Sequence, residues 1–289
     1  MTDMHTHSNK SDGEHSPADV VKMAFERGVK TLSLTDHDTV VGNDEAYEKC
    51  KELGMNFITG IEISANEHRS LHILGYGIDT KNKYLIEMCE KFAESRRNRT
   101  SALIGLFAEH NMFITEEDVL KFSDGGTIAR PHFARALVEK GYVSTVKQAF
   151  DEYLETPEFR KIKRYKASAN EAIQIIHKAG GLAVMAHPYQ LKKSDSELEE
   201  LIESLVDSGL DGIECYYSRH TPQMMIYYRQ LIERFDLLTS IGSDFHGYAV
   251  KPDIELGTGH QNSLVELQKV CAFKGNRDIL DCLSKRNNA

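Results

Sequence analysis

Met-Thr-Asp-Met-His-Thr-His-Ser-Asn-Lys-Ser-Asp-Gly, residues 1–13, opens the chain with two histidines two apart and an aspartate just before a glycine. On extended backbone, residues i and i+2 project to the same side. His5 and His7 can therefore grip one ion together, and Asp12 adds a hard oxygen ligand a short loop later. A lone His-x-His is weak by itself. Its weight comes from the histidines and carboxylates further along the chain.

Outward from this stretch, strand and helix alternate. Ser16-Pro17 opens a helix that Gly28 closes. Thr-Leu-Ser-Leu-Thr, residues 31–35, is a strand that runs into Asp36-His37-Asp38. A helix over Asn43–Leu53 stops at Gly54, the strand at 56–63 carries Glu62, and the next, at 72–78, begins with His72. After Ser168 the alternation resumes, with strands ending at His187-Pro188, at Tyr217 and before Gly242-Ser243-Asp244-Phe245-His246. This order predicts a mainly parallel sheet, and the number of units predicts a barrel. Most potential ligands stand at C-terminal strand ends, which share one face in such a barrel and carry its active site. His72, at a strand start, is the weakest fit to that geometry.

Between about residues 81 and 166 the pattern is almost purely helical. The expected organisation is barrel over 1–80, an inserted helical subdomain over 81–167 and barrel again over 168–289.

Composition excludes several classes. A chain of 289 residues with net charge −9 is not expected to carry a broad basic surface for duplex DNA. No apolar run is long enough to span a membrane, and no signal-peptide pattern opens the chain. Cys50, Cys89, Cys215, Cys271 and Cys282 are scattered and odd in number, which predicts reduced thiols in a cytoplasm. Cys215, without an evident base partner, reads as a buried thiol.

Imidazole and carboxylate without thiolate suit manganese, iron or zinc. The ligands outnumber what one ion needs, which points to a multinuclear centre for in-line displacement at phosphorus. His5-Thr6-His7, Thr35-Asp36-His37-Asp38, Gly60-Ile61-Glu62, His72-Ile73-Leu74-Gly75, Ala186-His187-Pro188 and Ser243-Asp244-Phe245-His246 resemble, in order, the motifs of the PHP (polymerase and histidinol phosphatase) family. The resemblance implies a distorted (β/α)7 TIM-like barrel and three divalent ions, with Mn2+ preferred over Fe2+ or Zn2+. It implies one ion on His5, His7, Glu62 and Asp244, a second on Glu62, His72 and His187, and a third on Asp12, His37 and His246. Asp36 and Asp38 are expected to support ligands rather than to bind metal.

The helical block narrows the resemblance. Ala129-Arg130-Pro131-His132-Phe133-Ala134-Arg135 is similar to the insertion of the nucleotide-directed PHP phosphoesterases. These remove the 3′-phosphate of nucleoside 3′,5′-bisphosphates or trim short RNA from the 5′ end. Arg130 and His132, with Arg135 a turn beyond, are the implied phosphate binders, and the fork of arginine suits that task. Asp244, His246 and His220 are the expected catalytic residues, His220 touching the reacting phosphate or protonating the leaving group. Arg96, Arg97 and Arg99 read first as a solvated helix face and second as lining for a substrate entrance. The partner is a small phosphorylated substrate, a nucleotide or a short oligonucleotide. A histidinol-phosphate-type phosphatase is the rival enzyme. A non-catalytic PHP module is the rival of another class, although all nine positions hold a competent ligand.

Overall fold

β1 (Thr2–Asp3) pairs parallel with β2 (Thr31–Leu34), and β2 pairs parallel with β3 (Asn56–Ser64). Each crossover is one helix whose ends are locally encoded. The Ser16 side chain accepts from Asp19 N at the start of α1 (Pro17–Glu26), with proline in the first turn. α2 (Asn43–Leu53) ends at Gly54, whose φ of 68° is the left-handed conformation glycine adopts without strain. Val20, Val21, Ala24, Ala46 and Cys50 then pack with Leu32 and Leu34 of the sheet. The computed structural model describes residues 1–123, 128, 130–260, 263–264 and 278–286.

β4 (His72–Tyr76) breaks the parallel order. It runs antiparallel to β3, with Ser64 opposite His72, and antiparallel to β5 further along. Only residues 65–71 separate β3 from β4. A parallel return needs a crossover of roughly a dozen residues or more, so this link permits only an antiparallel turn. The reversal puts the start of β4 at the same barrel end as the finish of β3, and so removes the objection to His72.

α3 (Lys83–Glu109) leads out of this sheet. The chain divides into two compact units, Met1–Ile86 with Ala167–Ala289, and Glu87–Lys166. The second unit contains most of α3 and then α4 (Glu116–Leu120), α5 (Arg130–Glu139), α6 (Val146–Ala149) and α7 (Pro157–Lys161). A π-helical turn, Phe150–Leu154, follows α6 directly. α7, with proline in its first turn, was not anticipated. The unit has its own core, in which the Phe107 ring packs 4.6 Å from Phe159 and 6.1 Å from Phe133.

A capping box starts α4: Thr115 Oγ1 accepts from Asp118 N at 3.2 Å, and the Asp118 carboxylate accepts from Thr115 N at 2.9 Å. Lys140 reaches the same carboxylate at 2.9 Å. The Lys140 bond, then the Thr115 amide, hold the carboxyl down at about 2. A depressed folded pKa means stabilisation that is complete above the ordinary 3.8 and lost as pH falls toward about 2. Asp118→Asn is therefore expected to lower Tm at neutral pH, and the gap from the parent should close as pH falls from about 5 to about 2. Melts followed by circular dichroism at each pH check this; a gap that stays constant with pH would contradict it.

The barrel resumes with α8 (Ala169–Lys178), β5 (Leu182–Met185), α9 (Asp195–Asp207), β6 (Gly212–Tyr217), α10 (Pro222–Arg234) and β7 (Leu238–Gly242). β5, β6 and β7 pair parallel. β7 returns to the first strand through Met4 N→Ile241 O at 3.1 Å, Asp244 N→His5 O at 2.8 Å and His7 N→Phe245 O at 2.9 Å. The seam is fastened by the buried Asp3 carboxylate, which accepts from Ser243 N, Ser243 Oγ and Gly257 N at 2.9, 2.7 and 2.8 Å. β8 (Thr258–His260) and β9 (Ser263–Leu264) form a separate two-stranded ladder, and α11 (Ile279–Arg286) follows. The architecture is the expected TIM-like barrel with a mainly parallel sheet; among the described residues, the two pairings of β4 are its antiparallel exceptions.

Cys50 and Cys215 are buried thiols, Cys89 and Cys282 are half-buried thiols, and Cys271 lies outside the described residues. Among the described residues no helix is long and apolar enough to cross a membrane.

Candidate metal centre

His5 and His7 leave the first strand on extended backbone, so both rings enter the barrel end. Thr6 between them turns away, and its hydroxyl donates to Ser33 O at 2.8 Å. The His5 Nε2 and His7 Nε2 atoms stand 3.1 Å apart. Both face Asp244 Oδ1, at 3.6 and 3.4 Å, and Glu62 Oε2, at 3.3 and 3.2 Å. His246 joins from the β7 loop, 3.3 Å from Asp12 and 3.3 Å from Asp244. His37, from the loop after β2, lies 3.8 Å from Asp12 and 3.0 Å from Glu62. His72 and His187 meet Glu62 Oε1 at 2.9 and 3.0 Å. All nine residues named from the sequence thus converge.

Glu62 is the hub, fully buried among five imidazoles. Its Oε2 has three imidazole nitrogens within 3.3 Å. Yet neither that oxygen nor His7 Nδ1, His37 Nδ1 or His187 Nδ1 has a hydrogen-bond partner among the described residues. Glu62 Oε2 and His37 Nδ1 stand 3.0 Å apart without a hydrogen bond, which fits a bound cation between them, because buried polar atoms left unpaired are otherwise costly. Four groups of side chains can each bring their donor atoms within 4.8 Å of one another: His7–Asp12–His37–His246, His5–His7–Asp244, His5–Glu62–His187 and His37–Glu62–His72. His5, His7, His37 and Glu62 each belong to two groups. Side chains are therefore shared among these groups more widely than in the three expected sets, which have Glu62 alone in common.

The charges are arranged to keep the carboxylates ionised. Burial would push the Glu62 and Asp244 carboxyls up. For Glu62 the neighbouring His37, His5 and His72, and for Asp244 the Lys251 ammonium with His246 and His5, overcome this and hold each well below the usual range. Burial pushes the His37 imidazole down to about 3, which leaves it neutral with a lone pair to offer. Burial also lowers His7, but the neighbouring Asp244 and Glu62 carboxylates outweigh it and bring His7 to about 9.

His187 and Asp244 both have positive φ, 26° and 59°. Non-glycine residues rarely adopt this, and such backbone collects at functional sites when surrounding bonds over-determine it. Asp244 is held on all sides: its Oδ1 faces the histidines, while Tyr217 Oη and Lys251 Nζ donate to Oδ2 at 2.9 and 2.6 Å.

Asp36 and Asp38 brace the surrounding loops. Asp36 accepts from Ser8 N, Ser8 Oγ and Ser11 Oγ at 2.8, 2.7 and 2.6 Å, and Asp38 accepts from Ser64 N at 2.9 Å. His220 is buried outside the nine-residue cluster. Its Nδ1 donates to Cys215 O at 2.9 Å, and its ring lies 5.0 Å from Tyr217 and 4.8 Å from Tyr228. Sequence reasoning did not find Lys251, Tyr217, Asp3 or Glu214. Lys251 is a lone lysine in a loop, and the others read as ordinary strand residues.

A closed barrel with nine His, Asp and Glu side chains converging at one end defines a metal-dependent hydrolase. The PHP domain pattern matches residues 3–233, and the chain belongs to the PHP family. It is 37% identical to a 5′-3′ exoribonuclease of Haemophilus influenzae over 84% of this chain and 89% of that one. It is 32% identical to a 3′,5′-nucleoside bisphosphate phosphatase of Chromobacterium violaceum, over 84% and 86%. A phosphoribosyl 1,2-cyclic phosphate 1,2-diphosphodiesterase of Eggerthella lenta is 31% identical, over 86% and 94%. Among solved structures, a Chromobacterium violaceum protein described as an amidohydrolase with bound sulfate superposes with TM-score 0.78 at 30% identity, over 99% of this chain and 96% of that one. The protein is a metal-dependent phosphoester hydrolase.

Proposed function

We propose that the chain removes the 3′-phosphate from nucleoside 3′,5′-bisphosphates or trims short 5′-phosphorylated oligonucleotides, using three divalent ions, preferentially Mn2+, in a cytoplasm. The observation that carries the nucleotide reading is a gathering of arginines in the helical unit. The Arg99 guanidinium is pushed down to about 10 by burial and by the charges of Arg130, Arg164 and Arg96. Such a gathering suits an anion even with the Glu155 carboxylate 3.9 Å from Arg130, because phosphate takes the planar fork of arginine bidentately. Arg130 and His132 are assigned to a substrate phosphate other than the one removed. Arg135 is exposed on the same helix and joins them only at the periphery. Arg96 and Arg99 in this group favour the second reading of that arginine run, as lining for a substrate entrance.

Divalent ions on the nine ligands would supply a water of lowered pKa and positive charge for the phosphoryl oxygens. The chain's own part is to hold the ligands in fixed directions. Asp244 and His246 flank the place where water would lose its proton. His220 would pass a proton to the leaving oxygen through Nε2, since its Nδ1 is committed to the Cys215 carbonyl.

The test is phosphate release from adenosine 3′,5′-bisphosphate with added Mn2+, beside AMP, histidinol phosphate and a short 5′-phosphorylated RNA. Selective release from the bisphosphate is expected, with all activity lost to a chelator. Arg130→Ala should raise KM for the bisphosphate by about tenfold or more while changing KM for AMP little. Turnover of histidinol phosphate alone would discard the nucleotide reading and keep the metal centre.

A further inference from the structure

Glu214 is a fully buried carboxylate on β6 that neither motif nor spacing singles out. Its Oε1 lies 2.9 Å from His5 Nδ1, and its Oε2 accepts from the backbone N of His187 at 2.8 Å. It therefore ties the loop after β1 to the loop after β5. Two features of the fold are arranged around it. The β6–β7 register shifts between Glu214 and Tyr216, so Cys215 is an extra residue in the ladder. Residues three apart on a regular strand face opposite sides, and the bulge lets Glu214 and Tyr217 both reach the metal ligands. Gly242, paired with Tyr217, has no side chain, and a Cβ there would stand 2.8 Å from Glu214 Oε1 and 2.1 Å from His5 Cβ.

We propose that Glu214 is a positioning residue, setting the tautomer of His5 and the backbone of His187 and thereby the affinity of the His5–Glu62–His187 metal group. The proposal rests on the reading of His5 and His187 as ligands. An ionised carboxylate only accepts hydrogen bonds, so the proton of His5 sits on Nδ1. The lone pair is then on Nε2, the atom that faces Glu62, His7 and Asp244. The second oxygen holds the amide of His187, whose φ of 26° would not persist without such a restraint. One side chain thus orients both histidines of one metal group, in the way outer partners tune a metal's affinity.

The experiment compares Co2+ binding by the full chain and its Glu214→Gln, Glu214→Asp and His5→Ala variants. It follows metal content, dissociation constant and the visible absorption of bound Co2+, with the Tm of metal-free protein alongside. A glutamine can accept through one atom only and presents a donor at the other. Glu214→Gln is expected to weaken binding of one ion by about 10- to 100-fold and to alter the Co2+ spectrum, with a near-parental metal-free Tm. Aspartate keeps the charge but falls one methylene short of spanning both partners, so Glu214→Asp should lie between, and it carries the test if the glutamine variant does not fold. A lower metal-free Tm with parental affinity and spectrum in both variants would overturn the proposal, because Glu214 would then be merely structural. His5→Ala with undiminished Co2+ binding would show instead that the ligand reading fails and takes the proposal with it.

Discussion

Glu62→Gln is expected to lower turnover by about 10³-fold or more while the barrel remains folded. Among the described residues, Glu62 is the carboxylate that faces five imidazoles and contributes to two candidate metal groups. Glutamine keeps the volume, so packing around it survives. It removes the negative charge from the centre of the cluster and turns one acceptor into a donor pointed at the nitrogens of His5, His7 and His37 or of His72 and His187. Two metal groups lose an oxygen ligand together, whereas a change at Asp12 touches only the group at His7, His37 and His246. Metal content by mass spectrometry, far-ultraviolet circular dichroism and phosphate release measured on one preparation separate the possibilities. Turnover within about tenfold of the parent, at full metal load, would show that Glu62 does not hold the reacting ions.

Gly242→Ala is expected to destabilise the barrel by about 3 kcal/mol or more, at the upper end for an added methyl in a packed interior. The added Cβ would meet His5 Cβ at 2.1 Å and the His5 backbone N at 2.8 Å. Neither can withdraw easily: His5 sits on the seam where Asp244 N bonds His5 O, and its ring is held by Glu214. The same shift would carry His5 Nε2 off its neighbours, so metal affinity should fall together with the urea midpoint. An alanine variant with the parental midpoint would mean that the β1–β7 seam yields far more easily than its bonds imply.

These effects stem from a cluster whose members come from separate strand ends. Binding energy for a metal centre of this kind is purchased by the fold: strands and loops hold like groups together before any ion arrives. That also explains why the backbone at His187 and Asp244 tolerates positive φ. Each is pinned, His187 by Glu214 and Asp244 by Tyr217, Lys251 and the His5 carbonyl.

His5-Thr6-His7, Asp36-His37-Asp38, Glu62, His187 and Asp244-Phe245-His246 could be read from the linear chain because ligand chemistry and strand punctuation are local properties. Side-chain type, two-residue alternation and the position of a group at the end of an apolar run need no tertiary information. The same holds for the helix starts, since a cap at Ser16 or Thr115 is made by residues three apart. His72 was legible as a ligand type but not in its place. Its place depends on β4 running backwards, and only the pairing of Ser64 with His72 brings it to Glu62. Glu214 and Tyr217 were hidden for a related reason: alternation assigns them to opposite faces, and the bulge at Cys215 cancels the alternation. Lys251 meets Asp244 only because its loop folds back on the end of β7, a long-range outcome that no periodicity records. The chain alone thus determined which atoms could bind metal and at which strand ends they stand. The tertiary structure decided which of them come within reach of one another and which buried carboxylate meets His5 and His187, because those are distances between residues far apart in sequence, set by strand direction and register.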